Sequence, residues 1–571
     1  VHSIVGLIKT SSAMTIPNDF PDGPVLLGQR TLQMAPANEK CTHAETAEGK
    51  HIKKGGCPRR LPLGAWFQML YATFGSFVPL AMLCYGCQQN FAKASTEFAC
   101  KYYMMDELKL DGVTIGRFMT AAHVPWNIKP VLGMLSDSVT FCGFHRTSYV
   151  AAMCCLSITM YSWVGFSAVS ALGLLAFLTV NNFATAFTDV LVDATTARLA
   201  RCHASQACDL QTAIRVSQAA GGLASSAIKG TLVSVLSPRG TIMSNILCVV
   251  VVLVPALRGW LPEERLPGKC CTASLKTCSQ NSGLTLAAAF LTFLAVTLFV
   301  SQTFLPGWRT RAAVLIVCSV SVVGCAYKVF SKISPYLWKT SALLFLRACF
   351  QPGLGESMFV WMSKDPNGPR FTPELLGLAD CFGHAGLLVG VVIFNKFLRS
   401  WKYRNIFLLG QLLVILLQFM DLILVLRWNL HMGLPDIVFF IGDETFDTAV
   451  ERTFYVPLVV LAYKVCPGHL EATIFATLIA TSNIGVDCGK YLGVALAEVW
   501  GIVGEDFQYL PHGIISKALF RLVPIPFILM LSPDFTPDDP IPTSDPIPSS
   551  DEDLTKRKEA NNEQRRELQE L

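Results

Sequence analysis

Residues 147–188 read TSYVAAMCCLSITMYSWVGFSAVSALGLLAFLTVNNFATAFT and hold no charged side chain. A helix crosses the hydrocarbon core of a bilayer with about 20 apolar residues. The stretch is therefore too long for one span and right for two, Thr147–Phe166 and Ala171–Val192. The rest of the chain agrees. Of its 571 residues 52% are hydrophobic and only 15% charged, and the mean hydropathy is +0.45. A soluble domain carries about 25% charged residues, so a soluble enzyme is excluded. The net charge is +5, and no basic run interleaved with aromatics points to nucleic acid.

Working outward, further spans are expected at Trp66–Gln88, Val113–Leu135, Ala213–Leu236 and Thr241–Trp260, then at Leu284–Phe304 and Ala312–Phe330. Six more follow at Trp338–Met362, Glu374–Lys396, Asn405–Leu426, Pro435–Tyr463, Glu471–Val499 and Gly513–Leu531. The fold class is all-α and polytopic, with 12–14 transmembrane helices. Two six-helix bundles (63–260 and 332–532) flank a linker (261–283) and an extra central helix pair (284–331). Tails of 1–62 and 533–571 complete the chain. Lys and Arg favour cytoplasmic loops. Placing both termini in the cytoplasm puts His145-Arg146, Arg198 with Arg201, and Arg399 to Arg404 inside. Lys93, Lys101 and Lys109 then fall outside, and Arg309 with Arg311 fits poorly.

No cleavable signal pattern precedes the first span, so that helix is expected to direct its own insertion. Met14 is a candidate start. The repeat Asp539-Pro-Ile-Pro-Thr-Ser and Asp545-Pro-Ile-Pro-Ser-Ser reads as a disordered stalk, because dense proline forms neither helix nor ladder. The twenty cysteines show no disulfide framework or zinc spacing, and Cys84-Tyr-Gly-Cys87 reads as a packing pair. No metal or cofactor is expected.

Ionisable residues inside spans cost about 2.5–3.5 kcal/mol each on insertion scales and are functional candidates. Lys129 stands in His123-Val-Pro-Trp-Asn-Ile-Lys129-Pro130, where two prolines kink the helix. It either faces a cavity and holds a carboxylate or snorkels to an interface; its depth favours the cavity. Asp189 and Asp193 share a helix face one turn apart. They read either as a proton or cation site, since both cannot ionise cheaply in low dielectric, or as bridge partners of an arginine. Asp443, Asp447 and Glu451 form a second stripe ending at Arg452, the densest charge cluster on any expected span. Asp380 and His384, one turn apart, are a candidate proton relay.

Two similar bundles around a linker are the mark of parallel-repeat transporters. The loop after the second span, Gly133-Met-Leu-Ser-Asp137 with Gly143-Phe-His-Arg146, resembles the signature loop of the major facilitator superfamily. Gly133, Asp137 and Arg146 would form its gate. The longer string Pro125-Trp-Asn-Ile-Lys129-Pro130-Val-Leu-Gly133-Met-Leu-Ser-Asp137-Ser resembles the folate–biopterin transporter family. So do Phe187-Thr-Asp189-Val-Leu-Val-Asp193, Gly442-Asp443-Glu-Thr-Phe-Asp447-Thr-Ala-Val-Glu451-Arg452 and Cys466-Pro-Gly-His-Leu-Glu471. The long tails and extra pair look most like its trypanosomatid branch.

The resemblance implies a secondary active importer of folate or biopterin at the plasma membrane, coupled to protons, and not an enzyme. Lys129 and Arg452 would then meet the substrate's carboxylates or ring edge. Asp189, Asp193, Asp443 and Asp447 would bind a proton or the pterin's amino edge, and Trp126 and Phe446 are candidate stacking rings. A carrier of another solute, such as S-adenosylmethionine, suits the acids equally. A membrane receptor is the alternative from a different class.

Overall fold

A computed structural model describes residues 63–203, 206–263, 265, 282–465, 471–504, 506–537 and 539. Both long tails, the proline repeat, most of the expected linker and the Cys466-Pro-Gly-His motif lie outside the described residues. Asp137 and Arg452 stand on described helices, but their side chains are outside what is described. Among the described residues the structure is helical, with one isolated bridge between Phe141 and Phe144.

The start of the bundle differs from expectation. Helix α1 (Leu63–Phe74) ends at Gly75, which has φ +62°, and α2 (Phe77–Glu107) leaves it at 111°. The expected span Trp66–Gln88 straddles that corner. Apolarity ran out at Gln88, yet the helix continues through Lys93, Glu97 and Lys101 because its polar face looks inward rather than at lipid. Only Gly accepts a positive φ at no steric cost, so Gly75 fixes the corner.

Helix α3 (residues 112–138) runs in three pieces, Gly112–Ala121, Val124–Asn127 and Lys129–Ser138. Pro125 and Pro130 each lie in the first turn of a new piece, where a missing N–H costs nothing. The expected kink around Lys129 is present. Helices α4 (Thr147–Phe166) and α5 (Ala171–Cys202) form the charge-free hairpin. Ser237, at φ +66° just before Pro238, divides α6 (residues 207–236) from α7 (residues 238–257). The extra pair is α8 (Ser282–Phe304) and α9 (Trp308–Phe330).

The second set comprises α10 (residues 335–364, broken between Cys349 and Gly355), α11 (residues 373–398), α12 (Tyr403–Val425), α13 (Asp436–Lys464), α14 (Glu471–Val499) and α15 (residues 510–531). Seven described stretches, with α6 and α7 counted as one, are long and apolar enough to cross a membrane unaided, or eight with α1 and α2 joined. Broken α3 and the charged α13 and α14 do not meet that test, and they line the interior.

Helices α2–α7 form one half and α10–α15 the other, with α6 packed on α11 and α3 on α14 between them. Gly230 and Gly377 make the α6–α11 crossing: a Cβ on Gly377 would stand 3.0 Å from the Gly230 nitrogen. Between membrane helices close packing replaces hydrophobic driving force, which is why small residues occupy such crossings. The alternating chain defines two faces. The first carries connections 108–111 and 365–372, the second 139–146 and 399–402. One continuous apolar cluster joins both halves toward the first face, running from Phe98, Tyr102 and Met105 to Phe359, Trp361 and Leu376.

The extra pair lies against this seam. Helix α8 packs on α3 and α14, and α9 on α10 and α14. Arg117 of α3 donates to the carbonyls of Gln302 (3.1 Å) and Thr303 (3.2 Å) at the end of α8. Arg311 of α9 is buried and ion-paired with Glu498 of α14. Arg311 therefore sits inside a helix contact rather than in a loop, which explains its poor fit to the loop-charge pattern.

Candidate functional site

The expected residues of the first half assemble into one network. Lys129 forms an ion pair with Asp189, whose other carboxylate oxygen accepts from Gln89 at 2.6 Å. Asp193 accepts from the Tyr85 hydroxyl. The kink of α3 lets the Lys129 ammonium turn toward α5, and the Asp189–Asp193 spacing aims both carboxylates at α2 and α3. Lys129 does hold a carboxylate, but it is the protein's own. The ammonium lies 4.6 Å from the centroid of Trp126, and the Lys93 ammonium lies 4.4 Å from the same ring. Trp126 donates to Asn182 at 2.9 Å, so the indole is held in place with both cations against it.

The acids of α13 open on a different space. A cavity of about 310 Å³ lies between the halves, lined on one side by Phe98 and Lys101 of α2 and on the other by Glu356, Phe359, Asp380, Asp421 and Phe440. Asp443, Glu444 and Asp447 line it from α13. Three of the surrounding acids have cations: Lys101 pairs with Glu356 at 2.9 Å, Lys517 with Asp421 at 3.1 Å, and Lys229 with Asp380. Among the described residues, no cation stands within ion-pair distance of Asp443, Glu444 or Asp447. Gln418 adds a buried Oε1 with no hydrogen-bond partner. The cavity thus has acceptors in excess, and its chemistry favours an occupant with N–H donors or positive charge.

A smaller cavity of about 190 Å³ lies between α2, α3 and α14, lined by Lys93, His123, Trp126, Asn127, Asn483 and Asp487. His123 Nε2 is 3.2 Å and Lys93 Nζ 3.8 Å from the same oxygen of Glu97. Asn127 donates to Asp487 at 2.6 Å across the two halves.

Other expectations fare differently. The Asp380–His384 relay does not form: His384 Nδ1 meets its own helix at the Asp380 carbonyl, 2.7 Å away, while the Asp380 carboxylate is taken by Lys229. Phe446 is 63% exposed and faces away from the cavity. The Arg198 guanidinium donates to the Pro262 carbonyl rather than to an acid. At the gate, Gly133 lies against Val190, and Arg146 donates to Thr195 at 3.2 Å. Glu263, which sequence reasoning passed over, accepts from the backbone N–H groups of His145 (2.6 Å) and Thr147 (2.9 Å). It thereby caps the N-terminus of α4, where orphan donors and the helix dipole favour an anion.

Comparison with known proteins agrees with the geometry. The sequence profile of the BT1 family matches residues 89–544. Probable folate-biopterin transporter 6 of Arabidopsis thaliana is 27% identical over 480 residues, covering 84% of this chain and 87% of that protein. The Folate-biopterin transporter of Synechocystis sp. is 26% identical over 445 residues, covering 76% and 78%. Among solved structures, a POT family transporter in complex with 5-aminolevulinic acid superposes with a TM-score of 0.58 at 13% identity, covering 80% of this chain and 96% of that one. The nucleoside transporter NupG gives 0.53 at 13%, covering 80% and 98%. These identify the fold as that of the major facilitator superfamily.

Proposed function

The chain belongs to the BT1 family, and from that premise we propose that it imports pteridines, folate or biopterin, across the plasma membrane by alternating access and in company with protons. The observation that carries the reading is the larger cavity. It lies between the halves, as a carrier's site must, and joins aromatic walls at Phe98, Phe359 and Phe440 to the acceptors of Asp443, Glu444 and Asp447. A pterin presents a flat ring to the former and an amino-pyrimidine N–H edge to the latter. Carboxylates that lack a cation in a membrane interior hold protons or draw them in with the solute, which supports proton coupling. Inward placement of the Arg146 and Arg399 loops supports cytoplasmic termini, and the α8–α9 pair with the long tails supports the trypanosomatid-type subclass.

Uptake of labelled folate and biopterin into cells lacking pteridine carriers, with and without a proton uncoupler, tests this. Saturable uptake that collapses with the uncoupler is expected. Uptake that persists unchanged removes the proton, and absence of uptake removes the substrate. The excess of carboxylates also favours a cationic solute such as S-adenosylmethionine. Its uptake in place of the pteridines would leave the fold and replace the cargo.

A further inference from the structure

Lys229 of α6 and Asp380 of α11 form an ion pair between the two halves, and its members are not equally accessible. The lysine is 6% exposed and the aspartate 40%. Asp380 stands on the wall of the larger cavity, and the Lys229 ammonium lies behind it, 4.9 Å from the centroid of Phe98. Lys229 meets one carboxylate oxygen of Asp380; among the described residues the other oxygen has no hydrogen-bond partner. Of the three wall acids described with a cation, Asp380 presents the largest share of its side chain, against 23% for Glu356 and 22% for Asp421.

Close helix packing fixes the pair from both sides. The Gly230–Gly377 crossing lies toward the first face. Toward the second face, a Cβ on Gly222 would stand 2.6 Å from His384 Nε2, while His384 Nδ1 meets the Asp380 carbonyl. The Asp380 carboxylate is thus anchored in position and orientation. Its neighbour on the wall, Glu444, has no such cation among the described residues. Gly383, one turn from Asp380, faces Glu444: a Cβ there would stand 3.5 Å from the Glu444 Oε1. An anchored carboxylate and an unanchored one therefore adjoin in the same cavity. A carboxylate offers about four acceptor positions, and Lys229 uses one of those on Asp380. An acceptor oriented beforehand loses less freedom when a solute arrives.

Resting on the assignment of the larger cavity to the pterin ring, we propose that Asp380 is a further substrate-binding residue, the fixed acceptor for the 2-amino group of the ring, with Lys229 as its positioning residue. The amino-pyrimidine edge carries two adjoining donors, the 2-amino group and the ring N–H. Asp380 takes the first and leaves the second to Glu444 beside it. A ring without the amino group leaves the anchored oxygen unpaired, and an acceptor stranded in that way costs free energy. The pair therefore selects aminated rings over their deaminated counterparts.

Uptake of labelled biopterin by the full-length chain tests this, at matched surface abundance, with pterin and 4-hydroxypteridine, which is pterin without its 2-amino group, as competitors. On the unaltered chain pterin is expected to compete about tenfold more tightly. Asp380→Asn alone strands the buried Lys229 charge, so the neutral pair Lys229→Met with Asp380→Asn carries the test. It is expected to raise the KM for biopterin about tenfold and to bring the two competitors within about twofold of each other. Lys229→Met alone keeps the carboxylate but releases it to turn, and is expected to raise the KM about threefold while leaving the maximal rate unchanged. A neutral pair that keeps the preference for pterin overturns the assignment and leaves Lys229 and Asp380 as a bridge between the halves. Equal competition on the unaltered chain overturns it as well, a readout that needs no variant to fold. If the unaltered chain carries neither folate nor biopterin, the underlying functional reading fails instead, which is a distinct result.

Discussion

Lys101 of α2 reaches Glu356 of α10 at 2.9 Å, joining the two halves of the molecule at the wall of the larger cavity. Lys364 and Asp106 form a second pair between the same two helices toward the first face. Lys101 and Glu356 thus both line the cavity and hold this face together.

Separating the halves on that face requires the Lys101–Glu356 pair to break. Glu356→Gln and Lys101→Gln are each expected to reduce maximal uptake about fivefold, and the exchanged pair Lys101→Glu with Glu356→Lys to recover part of it. Transport by the four chains at matched surface abundance checks this. Failure of the exchange to recover any activity would show that each residue acts separately.

On α13, removing charge should cost function rather than folding, because Asp443 and Asp447 have no described cation to leave unpaired. Asp447→Asn is expected to lower uptake to under about one tenth with surface expression intact. Retained uptake would dissociate this carboxylate from transport.

Lys129 and Asp189 predict the opposite pattern. Asp189 is buried and its partner is Lys129, so Lys129→Ala strands a charge in the interior and is expected to destabilise the purified protein by about 3 kcal/mol. The double variant Lys129→Ala with Asp189→Asn should regain much of that. Thermal unfolding in detergent reads the difference, and equal losses in the single and double variants would exclude pairing as the cause.

Glu263 holds the turn into α4 through the N–H groups of His145 and Thr147. Glu263→Ala is expected to cost about 1 kcal/mol, the worth of a lost helix cap, and to expose the 139–146 connection to protease. Limited proteolysis should show faster cleavage there; an unchanged rate would mean that other contacts hold the turn.

Much of the architecture could be read from apolar length alone. The charge-free 147–188 hairpin and the α8–α9 pair turn where their sequences suggest. The reading failed where a spanning helix turns a polar face inward. Lys93 and Lys101 looked like loop residues because hydropathy averages around the helix and cannot see which face is wet. Arg311 failed for a related reason, since its partner Glu498 is 187 residues away. Within the site, spacing identified Asp189, Asp193, Asp443 and Asp447 as cavity or network residues. It could not tell that the first pair already has partners in Lys129 and Tyr85 while the second does not. Nor could it separate Asp380 from His384, because one turn of spacing permits contact without deciding which oxygen the ring will choose.

The extra helix pair packs on both halves along its length, with Tyr327 of α9 edge-on to Trp338 of α10 at 5.3 Å toward the second face, but its charged contacts described above lie at the other end. Arg117 belongs to the first half and Glu498 to the second, and both grip α8 and α9 near the first face. Because Arg117 and Glu498 come from different halves, parting the halves at that face would have to break one of these contacts or carry the pair along with one half.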